Sequence, residues 1–422
     1  MSHGNSTGRL IDEVNRGRPP VRTPTRHVNV EPVPDLGASL TLKETALIYC
    51  ESQFGLVDGK TASALVRHSD TYTVVGVIDS SLAGQDAGKA LGGDAVGIPV
   101  FADLSAALGA LAETPDCYIY GKAPLEACIS DDERLLILEA MGAGMDIING
   151  LHQFFSDDPE FAAAAARCDV RIKDIRKPPA LRDLHVYTGR ISEVNVPVIA
   201  MLGTDCACGK MTTAVELNKA LNDSGIKSVL IATGQGGLMQ GAKYGVSIDA
   251  LVSQFVVGEI ENAVVRAFDH ERPDIILVEG QSAVSHPAFM SSLGILKGSM
   301  PDGVILQHAP ARKFRCDFPK LEMPTVDSEI TLIEAISEAE VVAVTLSHEG
   351  MARHEVLASI VEYEARLGLP TTDVLTYGCE KIVRALVERF PGLRKSRDRG
   401  NPVLPRLKVL GLVAAVPALA TT

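Results

Sequence analysis

Residues Gly203-Thr204-Asp205-Cys206-Ala207-Cys208-Gly209-Lys210-Met211-Thr212-Thr213 combine the types that can hold a phosphate. In such a loop backbone N–H groups curl around phosphate oxygens, the following helix N-terminus adds partial positive charge, and a lysine adds a full one. Its glycines let the main chain turn and approach a ligand without a Cβ in the way. The apolar run Val196 to Leu202 reads as the strand before the loop. After it, Met211, Val215, Ala220 and Leu221 mark one face of a helix that stops near Gly225. Gly203, Thr204, Asp205, Gly209, Lys210, Thr212 and Thr213 are the expected cofactor contacts.

Two departures from the GxxxxGK(S/T) pattern matter. Five residues rather than four separate Gly203 from Gly209, and Met211 stands where a hydroxyl would normally ligate Mg²⁺. A thioether is a poor ligand for that hard ion. Either Thr212 or Thr213 takes over, or the loop holds a phosphorylated ligand without a metal.

More chemistry gathers at later strand ends. One apolar run ends in Thr233-Gly234-Gln235-Gly236-Gly237, another in Glu279-Gly280-Gln281, and a third in Gln307-His308-Ala309-Pro310-Ala311-Arg312. In an open parallel sheet these ends share one edge, where ligands sit. Glu279 is expected to face Lys210, either as a base for a substrate amine, as a water-mediated metal contact, or as a buried partner of the lysine. His286 and His308 are acid/base candidates, although either alone could be a structural hydrogen-bonder. Arg312 is the expected carboxylate anchor, and Gln235 and Gln281 the further substrate contacts. No metal ligand set is expected.

These residues need a framework, and the chain of 422 residues has room for two or three domains. Residues 1–42 carry five prolines among polar residues and read as an extended or disordered arm. In 43–178 the apolar runs 46–50, 72–78, 117–120 and 145–149 alternate with helical patterns, which predicts a parallel α/β sheet. Pro178-Pro179 mark a linker into a second α/β block, 179–390, with strands expected at 196–202, 228–233, 274–279, 303–308 and 341–346. Residues 391–422 form a basic, proline-bearing tail. In the first block Glu51 to Thr61 is a weaker glycine-bearing turn, and Asp79 stands where a dinucleotide domain would hold a ribose, without a GxGxxG fingerprint before it.

Composition narrows the partners. The net charge of −13 repels the phosphate backbone of nucleic acid. Eight cysteines without a CxxC pair suit reduced thiols in a cytoplasmic protein. The longest apolar run, Val409 to Ala420, carries Pro417 and is short of the roughly 20 residues of a membrane span. The expected partners are a small amino-acid substrate and further copies of the chain in a homo-oligomer, with neither nucleic acid nor membrane.

Gly203-Thr204-Asp205, the long spacing to Gly209-Lys210, and Val278-Glu279-Gly280 resemble the dethiobiotin synthetase class of P-loop proteins. Together with the turn at 232–237, Val278-Glu279-Gly280-Gln281 followed by His286-Pro287, and Ser156-Asp157-Asp158-Pro159-Glu160, they more closely resemble the D-glutamate N-acetyltransferase family. The resemblance spans about 44–390 and implies a Rossmann-like first domain and a P-loop NTPase-like second domain. It also implies transfer of an acetyl group from acetyl-CoA to the amino group of D-glutamate, with pyrophosphate on Gly209, Lys210 and Thr212. Gly236, Ser282-Ala283, Gln307, Ala311 and Leu346-Ser347-His348 depart from the family's pattern, all at strand ends, so the acceptor is open. An enzyme that activates a carboxylate with Mg-ATP is the alternative, and a non-catalytic P-loop sensor a third reading.

Overall fold

The computed structural model describes residues 43–124 and 128–393. The arm expected over 1–42 and most of the tail expected from Pro391 lie outside the described residues.

Strands β1 (Glu44–Tyr49), β2 (Tyr72–Ile78), β3 (Val100–Phe101), β4 (Cys117–Tyr120), β5 (Asp146–Asn149) and β6 (Ile172–Asp174) form a first sheet in the order β3-β2-β1-β4-β5-β6. Every pairing in it is parallel. The second sheet has the order β15-β14-β11-β7-β10-β8-β9 and is parallel too. Its strands are β7 (Val198–Gly203), β8 (Ser228–Ala232), β9 (Tyr244–Gly245), β10 (Ile275–Glu279), β11 (Gly303–His308), β14 (Glu340–Leu346) and β15 (Thr371–Thr372). Between them β12 (Phe314–Arg315) and β13 (Phe318–Glu322) make an antiparallel pair. Two parallel-sheet α/β domains, Rossmann-like and then P-loop, are thus the architecture.

The apolar runs become strands because helices cover both faces of each sheet. Along β7, Val198, Ala200 and Leu202 pack with Ile260 and Val264, whereas Ile199 and Met201 pack with Ala214, Leu217 and Leu221 on the opposite face. The helix Lys210–Asp223 buries Lys210, Thr213, Ala214, Leu217 and Leu221. Its inward face is therefore rotated from the expected one, and Met211 and Val215 are only half-buried. Gly209, left-handed at φ 107°, starts the helix.

The two domains meet through buried polar contacts. Gln240 donates from its side chain to the carbonyls of Ala64 (3.0 Å) and His68 (2.9 Å), and its own carbonyl accepts from Asp70 N–H at 2.7 Å. Gly241, with φ 113°, sits so close to Asp70 that a Cβ would meet its side chain at 2.8 Å. Among the described residues no helix is long and apolar enough to cross a membrane.

Candidate active site

The carboxyl ends of both sheets open into one cavity of about 840 Å³. Gly55, Ala123 and Gly150 line it from the first domain, and the phosphate loop, Gln235, Glu279 and His348 from the second. That volume suits a small-molecule site between domains.

Cations tie back the loop's carbonyls. Lys210 Nζ donates to Asp205 O at 2.5 Å, Arg312 to Cys206 O (2.8 Å) and Ala207 O (3.2 Å), and Arg315 to Thr204 O (3.2 Å). Turning carbonyl oxygens away from an anion site leaves the N–H side of a loop to face it. Gly203 is required here, since a Cβ would strike the Lys210 side chain at 2.8 Å. Thr204 Oγ1 lies 2.9 Å from His308 Nδ1, and both residues are buried away from the cavity lining. Asp205, fully buried, accepts from Arg312 and from Cys316 N–H, each at 2.8 Å, so its carboxylate holds the loop from behind. Gly209, Lys210, Thr212 and Thr213 do line the cavity. Thr213 Oγ1, however, donates to Gln307 Oε1 at 2.6 Å, which leaves Thr212 as the hydroxyl available beside Met211. Met211 packs its thioether over Gly236, where a side chain would collide with it.

Glu279 is buried at the cavity floor and is not ion-paired with Lys210, whose ammonium is engaged by the loop. Its carboxylate accepts from Thr233 N–H at 3.0 Å. Burial lifts its carboxyl to about 7 against the pull of that hydrogen bond, Lys210 and Arg176. A carboxyl titrating there can take a proton from an amine near neutral pH.

The remaining candidates divide. Gln235 and Gln281 line the cavity, Gln281 donating to Thr233 O at 2.5 Å. His308 departs from its acid/base expectation: burial pulls its imidazole down to about 4, and it packs edge-on to Tyr363. Arg312 departs from its expectation as substrate anchor. Both of its terminal nitrogens are used, by Asp205 and the loop carbonyls and by Glu349 at 2.5 Å. A guanidinium so occupied has no fork left for a substrate carboxylate. His286 is buried behind the loop, beside Asp205. In the first domain, Asp79 accepts from Phe54 N–H (3.0 Å) and from Ser81 (N–H 3.0 Å, hydroxyl 2.5 Å), so it caps a turn instead of facing the cavity.

Three cations from the first domain, Lys60, Arg67 and Arg176, line the cavity, and Arg176 is the buried one. Arg176 lines the cavity, donates from Nε to Gly150 O at 2.6 Å and pairs through Nη1 with Asp249. Among the described residues its Nη2 has no protein partner. Burial lowers it to about 10, which leaves it charged at neutral pH. In the sequence it stands directly before Lys177-Pro178-Pro179 and reads as part of a linker. Across the cavity His348 pairs with Asp373 at 2.7 Å, and that contact raises its imidazole.

A Rossmann-like half and a P-loop half closing on one crevice define the class of protein. Residues 80–178 match a domain of unknown function described as Rossmann-like (DUF1611_N), and 185–383 match its P-loop companion (DUF1611_C). A DUF1611 protein from Anabaena variabilis, known from its crystal structure, superposes with a TM-score of 0.76 at 30% identity, over 82% of this chain and all of that one. This chain belongs to the DUF1611 family. Two curated relatives are named D-glutamate N-acetyltransferase. The one from Tritonibacter scottomollicae is 29% identical over 274 residues, 64% of this chain and 80% of that protein. The one from a Pseudoalteromonas species is 29% identical over 257 residues, 60% and 75%.

Proposed function

We propose that the protein is an N-acetyltransferase that moves an acetyl group from acetyl-CoA to the amino group of an acidic amino acid such as D-glutamate. The observation that carries this reading is Glu279, a buried carboxyl titrating near 7 on the floor of a cavity whose phosphate loop has a thioether in the metal-ligand position. An amino acid enters neutral solution as an ammonium and attacks a thioester only once a base has removed a proton. Phosphoryl transfer would instead require Mg²⁺ beside the loop. The names of the two curated relatives support the same reaction. Gly209, Lys210 and Thr212 would hold the pyrophosphate of the donor, and the acceptor would lie between Glu279 and Arg176.

The test is product formation from acetyl-CoA and D-glutamate in EDTA, followed by mass spectrometry, with thermal stabilisation by acetyl-CoA measured alongside. N-acetylated product and stabilisation in EDTA are expected. Stabilisation only by Mg-ATP, with phosphate release on adding a carboxylate, would replace this reading with carboxylate activation.

Arg176 takes the anchoring role. Because Arg176 lines the cavity and its Nη2 has no partner among the described residues, Arg176→Met is expected to raise the acceptor KM about 10- to 100-fold, the loss of one charge-assisted hydrogen bond, with acetyl-CoA affinity retained. Steady-state kinetics over a series of acidic and neutral amino acids checks it. An unchanged preference for acidic acceptors would remove Arg176 from the site.

A further inference from the structure

The thiol of Cys206, an oxygen of Asp205 and a ring nitrogen of His286 all lie within 4.8 Å of one another. Cys206 lines the cavity. The other two side chains are fully buried, and their facing atoms, Asp205 Oδ1 and His286 Nε2, stand 3.8 Å apart with no hydrogen-bond partner. The orientation of the imidazole fixes its proton. Ala288 N–H donates to Nδ1 at 3.2 Å, so Nδ1 is an acceptor and the ring proton sits on Nε2. Burial and then Arg315 lower the His286 pKa, which keeps the ring neutral. His286 Nε2–H is therefore a buried donor whose facing acceptor, Asp205 Oδ1 at 3.8 Å, lies beyond hydrogen-bond reach, a state that costs about 1–3 kcal/mol. An acceptor that arrives during function is one way such a group is satisfied.

The thiol beside this donor is set up to react. The Cys206 carbonyl is held by Arg312 at 2.8 Å, and the next residue, Ala207, is left-handed at φ 46°. The Cys316 thiol, which donates to the Cys206 carbonyl at 3.6 Å, and next the charge of Lys210 lower the Cys206 thiol against the effect of burial. Thiolate is the nucleophilic form.

Resting on the acetyl-transfer reading above, we propose that Cys206 is a catalytic nucleophile that carries the acetyl group between donor and acceptor, while His286 Nε2–H receives the oxygen of the intermediate. The Cys206 thiolate attacks the carbonyl carbon of the donor thioester. The Sγ–C bond forms, the C–S bond to coenzyme A breaks, and the coenzyme leaves as its thiolate. The acceptor amine, after Glu279 has taken one ammonium proton, attacks the same carbon. The N–C bond forms, the Sγ–C bond breaks with its electron pair returning to Sγ, and the second nitrogen proton passes to solvent. In both tetrahedral intermediates the negative oxygen can accept from His286, as oxyanion donors do.

The same three side chains have the chemistry of a zinc set. Two observations turn the assignment to a nucleophile. A metal on Nε2 would need the proton on Nδ1, which is here an acceptor. Lys210, Arg312 and Arg315 already crowd Asp205, so a dication would add like charge to like.

The experiment incubates the full chain with acetyl-CoA and no amino acid, then takes intact mass and a peptide map. One acetyl group on Cys206 is expected, discharged by D-glutamate, with parallel double-reciprocal plots in steady state. Cys206→Ser should still be stabilised by acetyl-CoA, but should lose the label and about a thousandfold or more in turnover. If that variant melts early, the wild-type label decides alone. Product formed at full rate with Cys206 unlabelled overturns the carrier and leaves the transferase standing. One equivalent of zinc in the purified protein, lost in His286→Ala, overturns it in favour of a metal site. Absence of stabilisation, label and product together overturns the transferase reading, and the carrier with it.

Discussion

Glu279→Gln is expected to lower kcat about 10²- to 10⁴-fold at nearly unchanged acceptor KM, the range for loss of a positioned base. Glutamine keeps the size and can still accept from Thr233 N–H, so the floor of the cavity should survive the change. The pH dependence gives the sharper check. Burial raises the carboxyl to about 7, so its deprotonated, proton-accepting form accumulates as pH rises through that value. The wild-type kcat should climb along that limb, and the limb should vanish in Glu279→Gln. For stability the sign is opposite. A carboxyl raised from 4.5 binds its proton more tightly in the folded chain, so this residue's contribution is full below 4.5 and declines as pH rises through 7. A variant with wild-type kcat and the same limb would show that another group takes the proton.

Arg312→Leu is expected to destabilise the fold by about 3–5 kcal/mol, the scale for breaking a buried ion pair from one side. Asp205 is fully buried, and the variant would leave it with Cys316 N–H at 2.8 Å and Arg315 at 3.9 Å. The carbonyls of Cys206 and Ala207 would also lose their donor, so acetyl-CoA affinity should fall with the melting temperature. Thermal melts with acetyl-CoA titration separate this from an anchoring role, which would raise only the acceptor KM and leave the melt alone.

The same arginine marks the limit of what the sequence alone shows. Strand runs at 117–120 and 303–308 coincide with β4 and β11, buried throughout, and 72–78 with β2, buried over its last three residues, because a strand buried on both faces reads as an apolar run. Short pieces such as β3, β9 and β15, two residues each, carry too few side chains for any period to show. The phosphate loop and Glu279 were legible because spacing and strand ends alone bring them together. Position after β11 puts Arg312 at the loop's edge but does not give its partners, since which side of the loop a guanidinium enters depends on the backbone path from Pro310 to β12. Arg176 and the pairing of Cys206 with His286 were hidden for a different reason. Arg176 reaches Asp249 across 73 positions of chain, and Cys206 and His286 approach only through the packing of separate loops. The departure at Gly236 does have a local cause, room for the Met211 thioether.

The helix Gln235–Gln240 follows the phosphate loop in the chain, yet its far end is seated in the other domain. Its first residue borders the cavity, and Gly241 just beyond its last is pressed against Asp70. It therefore works as a strut: any tilt of one half against the other is delivered to Gln235 and the Gly234 turn, and so to the width of the crevice. A chimaera that took its Rossmann-like half from a relative would give this strut a foreign socket. The segment 235–241 belongs with the first half in any such exchange, although the chain order assigns it to the second.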